Sequence, residues 1–355
     1  MKLFLKLLKW TSLLIGSVLL LIMLTGLVFR LSSSKPEPPG ELVDIGNFKL
    51  HINRSGEKND QPTLVIEGGS GMATEFYHWL NEGMKDHLRV VRYDRAGIGH
   101  SEASNTPRDP ETIARELHIL LEKAGESPPY ILAGHSLGGP YIQVFAQLYP
   151  EEVAAIALLD ATHPWRIKTF NIPSPTSFKF KSMVWLYDFQ GLLADLGILK
   201  LYDQLAGPIL NREMEGLPDE VNQRTIDFLN NGKYIRAFGK EFEQYHNTLE
   251  RVATKNDFGF LPIRIFPAAS TSEIPEEVYR KYLKRGIDLR KGKIKKMSMQ
   301  EDFLKLSTNS KLIPIDGNHT SIFTEKENAD IICKEIIRLS QELKEKRLPQ
   351  KPVVL

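Results

Sequence analysis

Among 355 residues there is one cysteine, Cys333. An internal disulfide is therefore excluded, and an exported form would be held together by its core alone. Charge of one sign is not in excess either: 46 Lys and Arg face 44 Asp and Glu, a formal net charge of +2. Nucleic-acid binders concentrate a far larger basic surplus, so no nucleic-acid partner is expected. No Cys/His cluster has metal-ligand spacing, no phosphate loop occurs, and Arg95-Ala96-Gly97-Ile98-Gly99 lacks the third glycine of a dinucleotide fingerprint. Neither a metal nor a cofactor is implied. With 42% hydrophobic and 25% charged residues and no internal repeat, disorder, collagen and coiled coil are excluded as well.

One long hydrophobic run exists, and it lies at the start. From Thr11 to Phe29 the chain reads TSLLIGSVLLLIMLTGLVF without a charge, after Lys2, Lys6 and Lys9. As a helix rising ~1.5 Å per residue it would span ~28 Å, close to the ~30 Å hydrocarbon core of a bilayer. A removable signal peptide has a shorter apolar region and a small-residue cleavage site, whereas this run is followed by Arg30-Leu31-Ser32. Residues 1–31 are therefore expected to form an uncleaved single-pass anchor in contact with membrane lipid, with cleavage to a secreted form as the alternative. The leading lysines keep the amino terminus cytoplasmic and send the body across the membrane. Residues 32–40, SSSKPEPPG, read as an exposed linker, and residues 346–355 as a tail.

Residues 41–345 read as one domain. Short apolar runs at 42–45, 48–53, 63–66, 89–94, 130–133, 153–159, 262–266 and 311–315 alternate with helical patterns at 110–124, 137–148 and 326–344. That alternation predicts βαβ units and a doubly wound, mainly parallel sheet in an α/β fold. In the last helix Ile332, Ile336, Leu339 and Leu343 form one buried stripe. Residues 164–258 show helical patterns with aromatic faces and no clear strand. A structureless loop of that length is disfavoured, so a helical lid is expected. Arg280 to Lys296 carries nine Lys/Arg against Asp288 alone, which reads as a solvated helix and turn or as a contact with an anionic membrane surface.

Residues Tyr130 to Gly139 read YILAGHSLGG, so Gly134-His135-Ser136-Leu137-Gly138 matches G-x-S-x-G. By chance that pattern turns up in roughly one chain in ten of this length, so its context decides. An apolar run ends directly before it, and a helical pattern with Pro140 in its first turn begins directly after it. A sharp strand-to-helix elbow needs small residues on either side of a nucleophile, and it lifts the Ser136 hydroxyl above a helix N-terminus. Such a hydroxyl becomes nucleophilic only with a base in reach. Of nine histidines, His319 follows the last expected strand in a Gly-containing loop, which brings it to the same sheet edge. His135 adjoins the serine but points away from it, while His100 and His163 are expected at loop ends near the pocket.

Four segments, in this order, resemble the α/β-hydrolase superfamily of serine hydrolases, which includes esterases, lipases and peptidases. LVIEGGSG (64–71) resembles the glycine-rich turn that supplies an oxyanion amide, and RYDRAGIGHS (92–101) the turn after the next strand. GHSLGG (134–139) resembles the elbow, and Gly317-Asn318-His319 the loop bearing the histidine. The resemblance implies Ser136 as nucleophile, His319 as base, and the amides of Leu137 and Gly69 as the oxyanion hole; Glu67 stands where many relatives have His. Chain order in this fold is Ser, acid, His. Relatives most often place the acid after the strand that here reads IRIF (263–266), yet no Asp follows it, only Glu273. Others take it from the end of the preceding strand, here Asp160. Asp160 is assigned, with Glu273 as the alternative acid.

The activity implied is cleavage of a carboxylic ester or amide in a small-molecule substrate through an acyl-enzyme on Ser136. The anchor and the apolar lid favour lipid-like or hydrophobic esters. An iminopeptidase-type peptidase, in which Glu241 and Glu243 would meet a substrate amine, is one alternative. A catalytically silent binding protein of the same fold is the other.

Overall fold

The computed structural model describes residues 2–32, 39–207, 216–229, 231–254, 257–270 and 274–347. Residues 33–38 of the expected linker, Glu273 within 271–273, and 348–355 of the expected tail lie outside them. Among the described residues eight strands form one sheet: β1 (Glu41–Asp44), β2 (Lys49–Ser55), β3 (Thr63–Glu67), β4 (Val90–Tyr93), β5 (Tyr130–His135), β6 (Val153–Leu159), β7 (Ile263–Phe266) and β8 (Ser310–Leu312). Their order is β1-β2-β4-β3-β5-β6-β7-β8. The β1/β2 and β2/β4 pairs are antiparallel, and every later pair is parallel.

The central strands are apolar on both faces because helices cover both. Period-two alternation divides their side chains. Val65, Leu132, Ile156 and Leu158 pack with Leu117 and Leu120 of the helix Pro110–Lys123 and Ile142 and Phe145 of the helix Gly138–Leu148. Leu64, Ile66, Ile131 and Ala157 pack instead with Leu80 and Met84 of the helix His78–Met84 and with Ile332, Ile336 and Leu339 of the helix Lys326–Arg347. Cys333 belongs to this second layer as a free, buried thiol, and burial pushes it up to about 12. Register then aligns the strand ends, with Glu67 opposite Gly134, His135 opposite Leu159 and Leu159 opposite Phe266. The segments that leave β3, β5, β6, β7 and β8 consequently meet at one edge.

Between β6 and β7 the described residues hold only helices: Arg166–Thr169, Phe178–Asp195, Ile198–Ala206, Asp219–Leu229, Gly232–Glu243 and Tyr245–Ala253. Phe180 stacks on Phe242 at 4.9 Å and ties the second of these to the fifth. The basic segment forms two helices, Glu276–Leu283 and Leu289–Asp302, within the β7-to-β8 connection. At the other end of the chain lies the helix Lys2–Ser32, long and apolar enough by length and composition to cross a membrane. Inside it the hydroxyls of Thr11 and Thr25 donate to the carbonyls of Leu7 and Leu21, so both are satisfied within the helix. Gly26 lies against the helical insertion, where a Cβ would come 2.6 Å from the Leu196 carbonyl oxygen.

Candidate active site

Ser136 follows β5 directly and has φ 52°, in the left-handed region that non-glycine residues rarely adopt. Its amide donates to the Leu159 carbonyl at 3.2 Å, and its own carbonyl accepts from Gly139 and Thr162 at 3.1 and 2.8 Å. The turn closes this tightly because its flanks are glycine. A Cβ on Gly138 would lie 2.5 Å from the Glu67 carbonyl oxygen, and one on Gly134 would lie 2.6 Å from that of Gly138. The strained serine is thus held by backbone on both sides, with its Oγ turned out over the start of the helix Gly138–Leu148.

His319 Nε2 lies 2.9 Å from Ser136 Oγ, and its Nδ1 lies 2.5 Å from Asp160 Oδ2. The loop that carries His319 is shaped by Asn318, whose Oδ1 accepts from the Thr320 and Ser321 amides at 2.9 and 2.8 Å. Asp160 ends β6 at φ 43°, and its Oδ1 accepts from the Ala268 amide at 3.0 Å. Lys296 Nζ reaches Asp160 Oδ2 at 2.7 Å. Burial alone would raise this carboxyl, but the His319 hydrogen bond and the Lys296 charge outweigh burial and hold it down to about 2. Ser136, His319 and Asp160 therefore form one hydrogen-bonded line, brought together from three strand ends. Such a line can take a proton from a hydroxyl and stabilise the imidazolium that results.

The amides around Ser136 depart in part from the sequence reading. Leu137 N–H meets no acceptor among the described residues and lines the cavity. Gly69 does not share this role: its N–H donates to the Tyr77 hydroxyl at 2.9 Å. The buried phenol needs a donor, and Gly69 is buried beside it, whereas half-buried Ser70 lines the cavity with Leu137. Tyr77 in turn meets His135 Nδ1 at 3.2 Å, and His135 Nε2 faces the His319 carbonyl at 3.0 Å. The carbonyl can only accept, so the proton sits on Nε2 and Tyr77 donates to Nδ1. Burial, reinforced by nearby His319, drives the His135 pKa well below its usual value, and the ring stays neutral. This chain links the loop after β3, the elbow and the His319 loop.

A second buried network supports the loop after β3. Arg95 Nη1 pairs with Glu67 Oε1 at 2.5 Å and Arg95 Nε with Glu241 Oε1 at 2.7 Å, all three residues being at most 2% exposed. The guanidinium also donates to the Gly68 and Gly69 carbonyls at 2.6 Å each. Glu241 Oε2 accepts from Ser70 Oγ at 2.9 Å and the Gly71 amide at 3.1 Å, so the insertion grips the loop. Burial opposes ionisation of both acids; Arg95 overcomes it for Glu241, whose pKa is lowered, but not for Glu67, whose pKa is raised. Glu67 thus serves the loop as a buried partner of Arg95. Tyr77 and Lys296 carried no motif signal, while Arg95, inside the RYDRAGIGHS turn, and Glu241, weighed for a substrate amine, gave no sign of pairing with each other across 146 positions.

Ser136 opens on a cavity of about 270 Å³ whose walls include Phe238, Phe242 and Tyr245 of the insertion. His163 lines it too, with its ring nitrogens bonded to Asp302 at 3.2 Å and to the Trp165 amide at 3.1 Å. His100 does not; it lies under the insertion against Phe228, 4.6 Å between ring centroids. No group of three or more His, Cys, Asp or Glu side chains among the described residues could hold a metal ion.

Residues 62–236 match the family model described as the alpha/beta hydrolase fold. An uncharacterized protein of Bacillus subtilis, YbdG, is 33% identical over 144 residues, 40% of this chain and 44% of that protein. The human (lyso)-N-acylphosphatidylethanolamine lipase is 32% identical over 117 residues, 32% of this chain and 33% of that one. These matches span less than half the length of either relative. Among solved structures, an enol-lactonase from Burkholderia xenovorans superposes with TM-score 0.55 at 16% identity, over 84% of this chain and 99% of that one. Fold, sheet order and matched segment agree, and the chain belongs to the α/β-hydrolase fold superfamily.

Proposed function

We propose that this protein is a membrane-anchored serine hydrolase that cleaves a carboxylic ester or amide. The observation that carries the proposal is the line from strained Ser136 through His319 to Asp160, at 2.9 and 2.5 Å. Ser136 Oγ attacks the carbonyl carbon while His319 Nε2 takes the hydroxyl proton. The tetrahedral oxyanion is received by the Leu137 amide and, with Gly69 engaged by Tyr77, by the Ser70 amide; each such donor is worth ~3 kcal/mol of barrier. His319 then protonates the leaving group as its bond to carbon breaks, and water, deprotonated by the same imidazole, releases the acyl group. The peptidase alternative has less support, because Glu241 is consumed by Arg95 and Glu243 faces solvent.

The membrane part of the reading has its own support. The helix Phe178–Asp195 has one face on the body and another that exposes Phe178 (87%), Trp185 (62%) and Leu192 (52%). Gly26, one turn inside the end of the apolar run, meets Gly197 just beyond that helix. That exposed face and that contact support a lid lying at the depth of a bilayer interface, where exposed aromatics are at home. The body lies on the extracytoplasmic side, by the lysines that precede the helix. A lipid-like ester or amide suits this placement, in keeping with the lipase among the relatives.

Hydrolysis of p-nitrophenyl esters of rising chain length, set against aminoacyl amides, tests the reaction. Ser136→Ala and Asp160→Asn are expected to lower kcat by at least about 10⁴-fold, with longer esters preferred to amides. An undiminished rate in Asp160→Asn would remove that residue from the mechanism. Extraction of membranes with carbonate should leave the protein in the pellet; release into the supernatant would refute the anchor.

A further inference from the structure

The cavity beside Ser136 holds more positive charge than ester hydrolysis in itself requires. Arg166 and Lys296 both line it, and Asp160 is the one carboxylate among its lining residues. That carboxylate is already engaged, since His319 Nδ1 and Lys296 Nζ meet the same oxygen, Oδ2, at 2.5 and 2.7 Å. Arg166 is exposed, stands over the Phe170 ring and pairs with no carboxylate among the described residues. Both cations also line a groove of about 1150 Å³ that runs from His319 along the helix Leu289–Asp302. There Lys291 and Lys295 add charge, and Ile274, Ile287 and Ile294 add apolar surface. Asp288, the one acid among the groove's described lining residues, caps its own helix at Lys291 N, 3.0 Å away.

An ammonium on the carboxylate that orients the base works against the reaction. As His319 takes the serine proton it becomes a cation, and Lys296 both repels it and shares its counter-ion. A group that drew Lys296 away would leave Asp160 to His319 alone. We propose that this group belongs to the substrate: the site takes an ester or amide bearing an acidic function, seated between Lys296 and Arg166, with its apolar portion along the groove. The substrate class is an anionic amphiphile, and its charge relieves a restraint on the base. Bond making and breaking are unchanged, since the anion draws Lys296 electrostatically and exchanges no proton or electron pair. The inference rests on the serine-hydrolase reading.

Two matched pairs of esters test it. Mono-p-nitrophenyl suberate against p-nitrophenyl octanoate places a carboxylate on the acyl side; 3-carboxy-4-nitrophenyl octanoate against 4-nitrophenyl octanoate places it on the leaving group. After correction for hydroxide-catalysed rates, wild type should favour one anionic ester by about tenfold or more in kcat/KM, and the arm that responds identifies the side. Lys296→Met should abolish the preference and raise kcat for octanoate, Lys296→Arg should keep the preference, and Arg166→Gln should weaken it. Labelling of Lys296→Met by a fluorophosphonate shows that its nucleophile is intact; if it does not label, Arg166→Gln decides. A wild type that labels yet shows no preference, or a preference that survives in Lys296→Met, overturns the proposal and leaves the hydrolase reading standing. A wild type that neither labels nor turns over any ester overturns both.

Discussion

Ser136 and Asp160 both sit at positive φ, 52° and 43°, at a cost of order 1 kcal/mol each that the surrounding backbone must sustain. Asp160 has a further consequence with a definite sign. Its carboxyl is held near 2 in the folded protein, against about 3.9 for an unfolded Asp, so its ionised form stabilises the fold above pH about 4. That stability is lost as the pH falls toward 2, and about 1 kcal/mol of it should disappear between pH 5 and pH 3. Urea unfolding of wild type and Asp160→Asn at the two pH values should show the difference between them shift by that amount; no shift would mean the carboxyl is not depressed. Tyr77 is the other residue whose removal is informative. Tyr77→Phe leaves the Gly69 amide and His135 Nδ1 without their partner, and a loss of about 1–3 kcal/mol in unfolding free energy is expected. A variant as stable as wild type would show that the chain does not hold the loop.

At the scale of elements, the helical insertion and the loop after β3 are one unit through Glu241 and Arg95. Breaking a buried pair by deleting one partner strands the other charge, so Glu241→Ala should destabilise by about 3–5 kcal/mol. Glu243→Ala, two residues on and exposed, should stay within about 0.5 kcal/mol. Equal effects in a denaturation series would contradict the coupling. The contrast also shows what a sequence can reveal. Strands β3, β5 and β6 were legible because burial on both faces demands unbroken apolar runs, and the elbow because its close backbone contacts demand glycine at 134 and 138. His319 and Asp160 were legible from their place at strand ends. Arg95 and Glu241, by contrast, lie 146 positions apart, and Lys296 sits in a basic run with nothing local to mark it as Asp160's partner. Such pairings leave no periodicity. The Gly69 amide was misread for a different reason: its acceptor is a phenol only eight residues away, but the 3-10 turn Thr74–Tyr77 that folds it back over the loop follows no repeating pattern.

For the molecule as a whole, the apolar helix, the hydrolase-fold body and the exposed apolar face of the insertion are what the proposal of a hydrolase held at a bilayer rests on. The body carries its own two-layered core on either side of the sheet, so the site does not depend on the helix for its geometry. Removal of residues 1–40 should therefore give a protein that no longer pellets with membranes yet hydrolyses water-soluble esters within about threefold of the full-length rate, as expected for changes remote from the reacting groups. A folded but inactive body would mean that the helix completes the site. The central claim is that Ser136 is a working nucleophile, and mass mapping of the adduct formed by a fluorophosphonate on the full-length protein tests it most directly. The expected result is a single adduct on Ser136 that is absent in Ser136→Ala; a folded wild type with no adduct, or with the adduct elsewhere, would contradict it.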